Sequence, residues 1–169
     1  VTESGAGFTT SGGCALNWGS GDTLEDGDGY IVYLRDVSSR TFWSAGHHPA
    51  LRMPRTYRMS WRPGQIRIRR VDDEVEVSTD VCVAPDADVE IRRLTIRNLA
   101  DRPCRIEVTT FAEVVLQERT AFAAHPAFAK LFIRTEYDRS TGALLAERRP
   151  RAPDELHPWM LHAMIGAVD

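Results

Sequence analysis

Apolar and polar residues alternate with a period of two along most of the chain, the spacing that sends successive strand side chains to opposite faces. From Glu74 to Val83 the valines share one parity. Val75, Val77, Val81 and Val83 are therefore assigned to a buried face, with Glu74, Glu76, Asp80 and Cys82 on the other. The run from Gln65 to Val71 repeats the scheme, with Ile66 and Ile68 inward and Arg67 and Arg69 outward. Between Asp88 and Asn98 the parity flips: Val89 and Ile91 are odd, whereas Leu94 and Ile96 are even. A β-bulge at Arg92-Arg93 is predicted, because one extra residue would restore a single buried face. After Pro103 a longer strand puts Ile106, Val108, Thr110, Ala112, Val114 and Leu116 on one face, and a strand of that length is expected to bend or cross between sheets.

Turn signals separate these runs at Arg62-Pro63-Gly64, Asp72-Asp73, Ala84-Pro85-Asp86, Ala100 to Pro103 and Ser140-Thr141-Gly142. Their spacing, mostly about a dozen residues, suits an antiparallel sandwich. The Ala-rich segment from Glu118 to Phe132 breaks the alternation and predicts a short helical turn before Pro126. No stretch keeps helix-period apolar spacing over several turns. The fold class predicted is all-β, antiparallel and nearly helix-free.

The segment Gly21 to Asp36 crowds acids and glycines ahead of an apolar run, as a calcium loop does. The spacing rejects that reading. Counted from Asp22, the third ligand position falls on Leu24 and the twelfth on Tyr33, and neither supplies a carboxylate. Asp26-Gly27-Asp28-Gly29 is read instead as a turn feeding a strand that starts at Tyr30. At 169 residues, 43% apolar, the chain is long enough for one ordinary globular domain. The first residues lack the basic and apolar regions of a signal peptide, and no stretch reaches the length of a membrane span. Net charge is −3, and the basic residues, all Arg except Lys130, alternate with acids rather than forming a tract. Nucleic acid is therefore not an expected partner. Cys14, Cys82 and Cys104 are widely spaced and form no CxxC pair, which indicates neither a disulfide framework nor a zinc site and fits a reducing compartment.

Taken in order, the stretches 30–44, 83–116, 124–137 and 144–153 resemble the N-terminal super-sandwich domain of family 94 glycoside hydrolases, formerly glycosyltransferase family 36. The likeness is nearest to the type found in bacterial cyclic β-1,2-glucan synthases and more distant to cellobiose and chitobiose phosphorylases. One departure is Leu16-Asn17-Trp18, where such members often carry Thr-Arg-Trp. The resemblance implies a galactose-mutarotase-like antiparallel super-sandwich spanning residues 1–169 as one domain, a fragment of a larger enzyme whose (α/α)6 catalytic barrel is absent. It also implies inverting phosphorolysis or its reverse, in which phosphate is the nucleophile and one carboxylic acid suffices. That acid belongs to the barrel, so the chain alone is expected to be inactive. The barrel of the same polypeptide and a second subunit are the implied partners, β-glucan the implied sugar, and no cofactor, metal or membrane insertion is expected. The implied location is the cytoplasm or the cytoplasmic side of a bacterial inner membrane.

Candidate chemistry is sparse. Asp36, Glu113 and Glu118 are the carboxylates considered for a catalytic pair, but Arg35 and Asp36 are expected to anchor a strand end and Glu113 to pair with an Arg. Among Trp18, Trp43, Trp61 and Trp159, Trp61 shares parity with Tyr57 and Met59 and is expected in the core. Trp18 and Trp43, near turns, and His125, in the irregular segment, are the candidates for sugar contact. Adjacent His47 and His48 point to opposite faces of an extended chain and suit no shared metal. Arg148 to Arg151 is read as an acid-paired turn. Open strand edges and uncovered apolar surface predict self-association.

Overall fold

The computed structural model describes residues 1–22, 24 and 26–166. It divides into two compact units, one built from Val1–Phe8 and Gly19–Ala112, the other from Thr9–Trp18 and the chain from Glu113 onward.

In the first unit, β3 (Ile31–Asp36), β4 (Phe42–Ser44) and β9 (Ile106–Phe111) form one sheet in the order β4-β3-β9. A second sheet runs β5 (Thr56–Arg62), β6 (Gln65–Asp72), β7 (Val75–Val83) and β8 (Glu90–Asn98), each strand antiparallel to the next. The core lies between them: Val32, Leu34 and Trp43 from one sheet meet Val75 and Val77 from the other, with Leu94, Ile106 and Val108 at its margin. Period-two patterning thus seals one face of each sheet, at about 25 cal/mol for each Å² of apolar surface removed from water. At the entry to β3, Gly29 bridges Gly7, and a Cβ there would collide with the Gly7 backbone. Asp26 is buried just before it and accepts hydrogen bonds from the Thr2 and Ser4 hydroxyls.

Three details of this unit depart from the pattern, the first being Val83, assigned inward but 61% exposed where β7 ends. β8 pairs with β7 in unbroken register from Glu90↔Val83 to Asn98↔Val75, so the expected bulge at Arg92-Arg93 does not form. The inward position is taken by Arg92, whose guanidinium lies 4.3 Å from the Tyr30 ring and donates to the Tyr30 carbonyl, while Ile91 turns outward, 50% exposed. Trp61 has the inward parity predicted for it yet is 62% exposed, because it lies at the end of β5 beyond the cover of the opposing sheet.

The second unit holds the sheet β1 (Thr10–Ser11), β2 (Cys14–Asn17) and β10 (Val114–Gln117), two short helices, α1 (Arg119–Ala124) and α2 (Pro126–Lys130), and a sheet of β11 (Ile133–Asp138), β12 (Ala143–Arg148) and β13 (Trp159–Ala163). Ala15, Val115, Phe122 and Ala129 form its core, with Trp18 against it. The long strand after Pro103 does cross between sheets, β9 ending at Phe111 and β10 starting at Val114. Its predicted parity fails past the break. Val115 and Leu116 are both fully buried, since the register of β10 shifts between Val114 and Gln117 and Leu116 adopts φ 52. The described chain is antiparallel β throughout its named sheets, with helix confined to α1 and α2.

Candidate functional site

The outward face of the β4-β3-β9 sheet carries the first candidate site. Arg35 stands opposite Phe42 on one side and Glu107 on the other, and Tyr33 lies one step along beside Thr109. Together they line a shallow groove of about 410 Å³. Arg35 donates through Nε to Glu107 at 2.8 Å, which fixes both charged groups beside the exposed Phe42 ring. Such a surface can set an aromatic face against sugar C–H groups and charged atoms against hydroxyls. Arg35 therefore serves a cross-strand ion pair, whereas Asp36 caps the β3–β4 turn by accepting from the Ser38 and Ser39 amides at 2.7 and 3.3 Å. The signal for Phe42 was present: adjacent aromatics Phe42-Trp43 in a strand must face opposite ways, so a buried Trp43 puts Phe42 outside.

The carboxylates considered for catalysis are spent on local structure. The Ser38 amide holds Asp36 below the usual carboxylate range. Glu118 is the N-cap of α1, accepting from the Thr120 and Ala121 amides at 3.0 and 2.9 Å, and the Thr120 hydroxyl is the main cause of its lowered pKa. Glu113 bonds Lys130 at 2.7 Å rather than an Arg. A general acid for glycoside chemistry needs a raised pKa. Asp36 and Glu118 are shifted the other way. Burial pushes the Cys14 thiol up, so it is no activated nucleophile.

Of the aromatic candidates, Trp43 is 2% exposed. A ring packed against Val75 and Val77 cannot present a face to sugar, and its indole N–H meets no acceptor among the described residues. Trp18 is half-buried, its ring 5.2 Å from Phe122 and 5.7 Å from the Arg119 guanidinium. His125 is exposed and joins the two helices, its amide donating to Phe122 and its carbonyl accepting from Ala129. His47 and His48 stack edge to face at 5.4 Å, and no group of His, Cys, Asp and Glu with metal-site geometry occurs among the described residues. Arg148 to Arg151 is an acid-paired turn. Arg148 and Arg151 both reach Glu155, at 3.1 Å, over the Phe132 ring.

Trp159, 57% exposed on β13, is one of the four tryptophans considered for sugar contact, though sequence reasoning favours only Trp18 and Trp43 as sites. Its ring is 5.2 Å from His157, which bonds Glu147 at 2.8 Å, and Glu147 is its direct cross-strand partner. Here the i,i+2 spacing of His157 and Trp159 was the readable signal for a shared face.

The model of the glycosyl hydrolase 94 supersandwich domain matches residues 1–169. The chain belongs to this family. This supersandwich domain is 32% identical over 165 residues to the cyclic beta-(1,2)-glucan synthase NdvB of Rhizobium meliloti, covering 92% of the chain and 6% of that protein. It is 24% identical over 137 residues to the solabiose phosphorylase of Paenibacillus borealis, covering 81% of the chain and 17% of that enzyme. The domain thus spans under a fifth of either relative. Among the described residues no helix is long and apolar enough to cross a membrane.

Proposed function

We propose that this supersandwich domain is a non-catalytic scaffold of a carbohydrate-active enzyme of the glucan-synthase or phosphorylase kind. In this reading residues 1–169 act as one domain-level part of a longer polypeptide, pack on its (α/α)6 catalytic barrel and on a second subunit, and work in the cytoplasm or at the cytoplasmic face of a bacterial inner membrane. The observation that supports it is the engagement of the candidate carboxylates: Asp36 in a turn, Glu118 in a helix cap and Glu113 with Lys130. Uncovered Trp159 and Leu161, which share one face of β13, supply apolar surface for such packing. Sedimentation of the domain mixed with a separately expressed catalytic barrel of the same polypeptide tests the reading. A stoichiometric complex is expected, and two independently sedimenting species would overturn it.

A second reading, a β-glucan-binding sandwich, is favoured by the exposed rings. Its contacts would be Phe42 with Tyr33 in the first unit, or, in the second, Trp159 with His157, or Trp18 and His125. Calorimetric titration with β-1,2-gluco-oligosaccharides decides it: millimolar or tighter binding lost on Trp159→Ala or Phe42→Ala favours this reading, and silence removes it.

A further inference from the structure

The second sheet of the first unit collects on its outward face the arginines that the sequence scatters. The register aligns Arg58 with Arg69, Arg67 with Asp80 and Arg93, and Glu76 with Arg97, and Arg62 closes the row at the end of β5. Six arginines share this face with two carboxylates, an excess of four positive charges on a chain whose net charge is −3. Acids alternate with these arginines in sequence, but many occupy turns such as Asp73 and Asp86 and so leave the face.

Local structure does not account for the cluster. Arg58 lies directly opposite Arg69, and like charges in that position destabilise a sheet. Arg69 bonds Glu76, and Arg67 and Arg93 bond Asp80 at 2.5 and 2.8 Å, which holds their guanidinium planes in place. Among the described residues Arg58, Arg62 and Arg97 are exposed and form no ion pair, for Glu76, across from Arg97, is engaged by Arg69.

We propose that this face docks an acidic protein surface, its carboxylates completing the arginine array. Arginine is the cation that protein interfaces favour, because its planar fork pairs with carboxylate in two-point geometry. Three observations select a protein over other polyanions. Glu76 and Asp80 sit among the arginines, where a uniformly negative membrane or phosphodiester backbone would meet them as repulsion. Neither tyrosine nor tryptophan shares the face, so unpaired bases find no stacking platform. A mixed-sign surface with a positive excess is complementary to one with the opposite excess.

Fluorescence anisotropy of a labelled Glu-rich peptide with interspersed Lys residues, net acidic but of mixed sign, mixed with the 169-residue chain tests this. Binding is expected to saturate and to weaken as salt rises from about 0.05 to 0.3 M. The variant Arg58→Glu/Arg62→Glu/Arg97→Glu should lose at least about tenfold in affinity, and the milder triple Gln variant should lose less in the same direction. Reversal of Arg105 and Arg139, exposed elsewhere, should leave affinity unchanged. Absence of binding, equal loss in the Arg105/Arg139 variant, or tighter binding to phosphatidylserine vesicles or duplex DNA would overturn the proposal.

Discussion

Arg69 and Arg70 are neighbours in β6, yet they belong to opposite faces of one sheet and to different kinds of chemistry. Arg69 sits outside, half exposed, against Glu76. Arg70 is 0% exposed; it holds Asp72 through two bonds of 2.6 Å and donates to the carbonyls of Ser44, Gly46 and Arg52. Those carbonyls belong to the chain around β4, so Arg70 ties the two sheets of the unit together. Face, not residue type, sets whether a charge is structural. A desolvated ion pair must have every donor and acceptor engaged, whereas an exposed one is screened and contributes little.

Substitution of the two arginines should separate them most. Arg70→Met leaves Asp72 and three carbonyls buried without their donor and should cost about 3–5 kcal/mol in urea unfolding, against under about 1 kcal/mol for Arg69→Met. Removing both partners, as Arg70→Met/Asp72→Leu, should recover only part of the loss, because the Ser44, Gly46 and Arg52 carbonyls still lose the donor that Arg70 supplied. The two tryptophans repeat the contrast: Trp43→Ala should cost about 3–5 kcal/mol by opening a core cavity, and Trp61→Ala about 0.5 kcal/mol, both read from denaturation midpoints.

Stability also depends on pH through the charged and phenolic groups. Arg67 beside Asp80 holds its carboxyl below the ordinary value, so Asp80 contributes stability above about pH 4 that fades as pH falls toward its folded pKa. Asp138 and Glu155, each held at about 2, titrate in the same direction: Asp138 chiefly by the Thr141 hydroxyl, Glu155 chiefly by Arg151. Tyr57 acts at the other end. Burial raises its pKa to about 12, so its contribution is complete below about pH 10 and lost as pH rises through 12. Melting temperatures across pH should show both flanks, with Asp80→Asn flattening the acid one and Tyr57→Phe the alkaline one. The smallest effect is the cap: Glu118→Ala should lower the unfolding midpoint slightly, by less than any of the core changes above.

What the sequence made legible follows the same division. Alternation gave the strands β6 and β7 and the inward Val75, Val77 and Val81, because an apolar side chain has few options other than burial, but it misplaced Val83, which is 61% exposed at the end of β7. It misjudged β8, where Arg92 fills an inward place by laying its guanidinium on Tyr30, and a charged residue at an apolar parity was taken for a bulge. It misjudged Trp61 because parity names a face and says nothing of how far the opposing sheet extends. Arg70 and Asp72 were readable in principle, as opposite charges two apart on the inward parity. The family likeness came through whole, whereas the groove at Arg35 and Phe42 and the outer arginine array needed the register between distant strands.

Assay of the purified chain for turnover tests the scaffold claim most directly. Incubated with phosphate and linear β-1,2-glucan, the supersandwich domain is predicted to release no sugar phosphate and no free glucose. Release of either, retained on re-purification and abolished by Glu113→Gln, Glu118→Gln or Asp36→Asn, would contradict it.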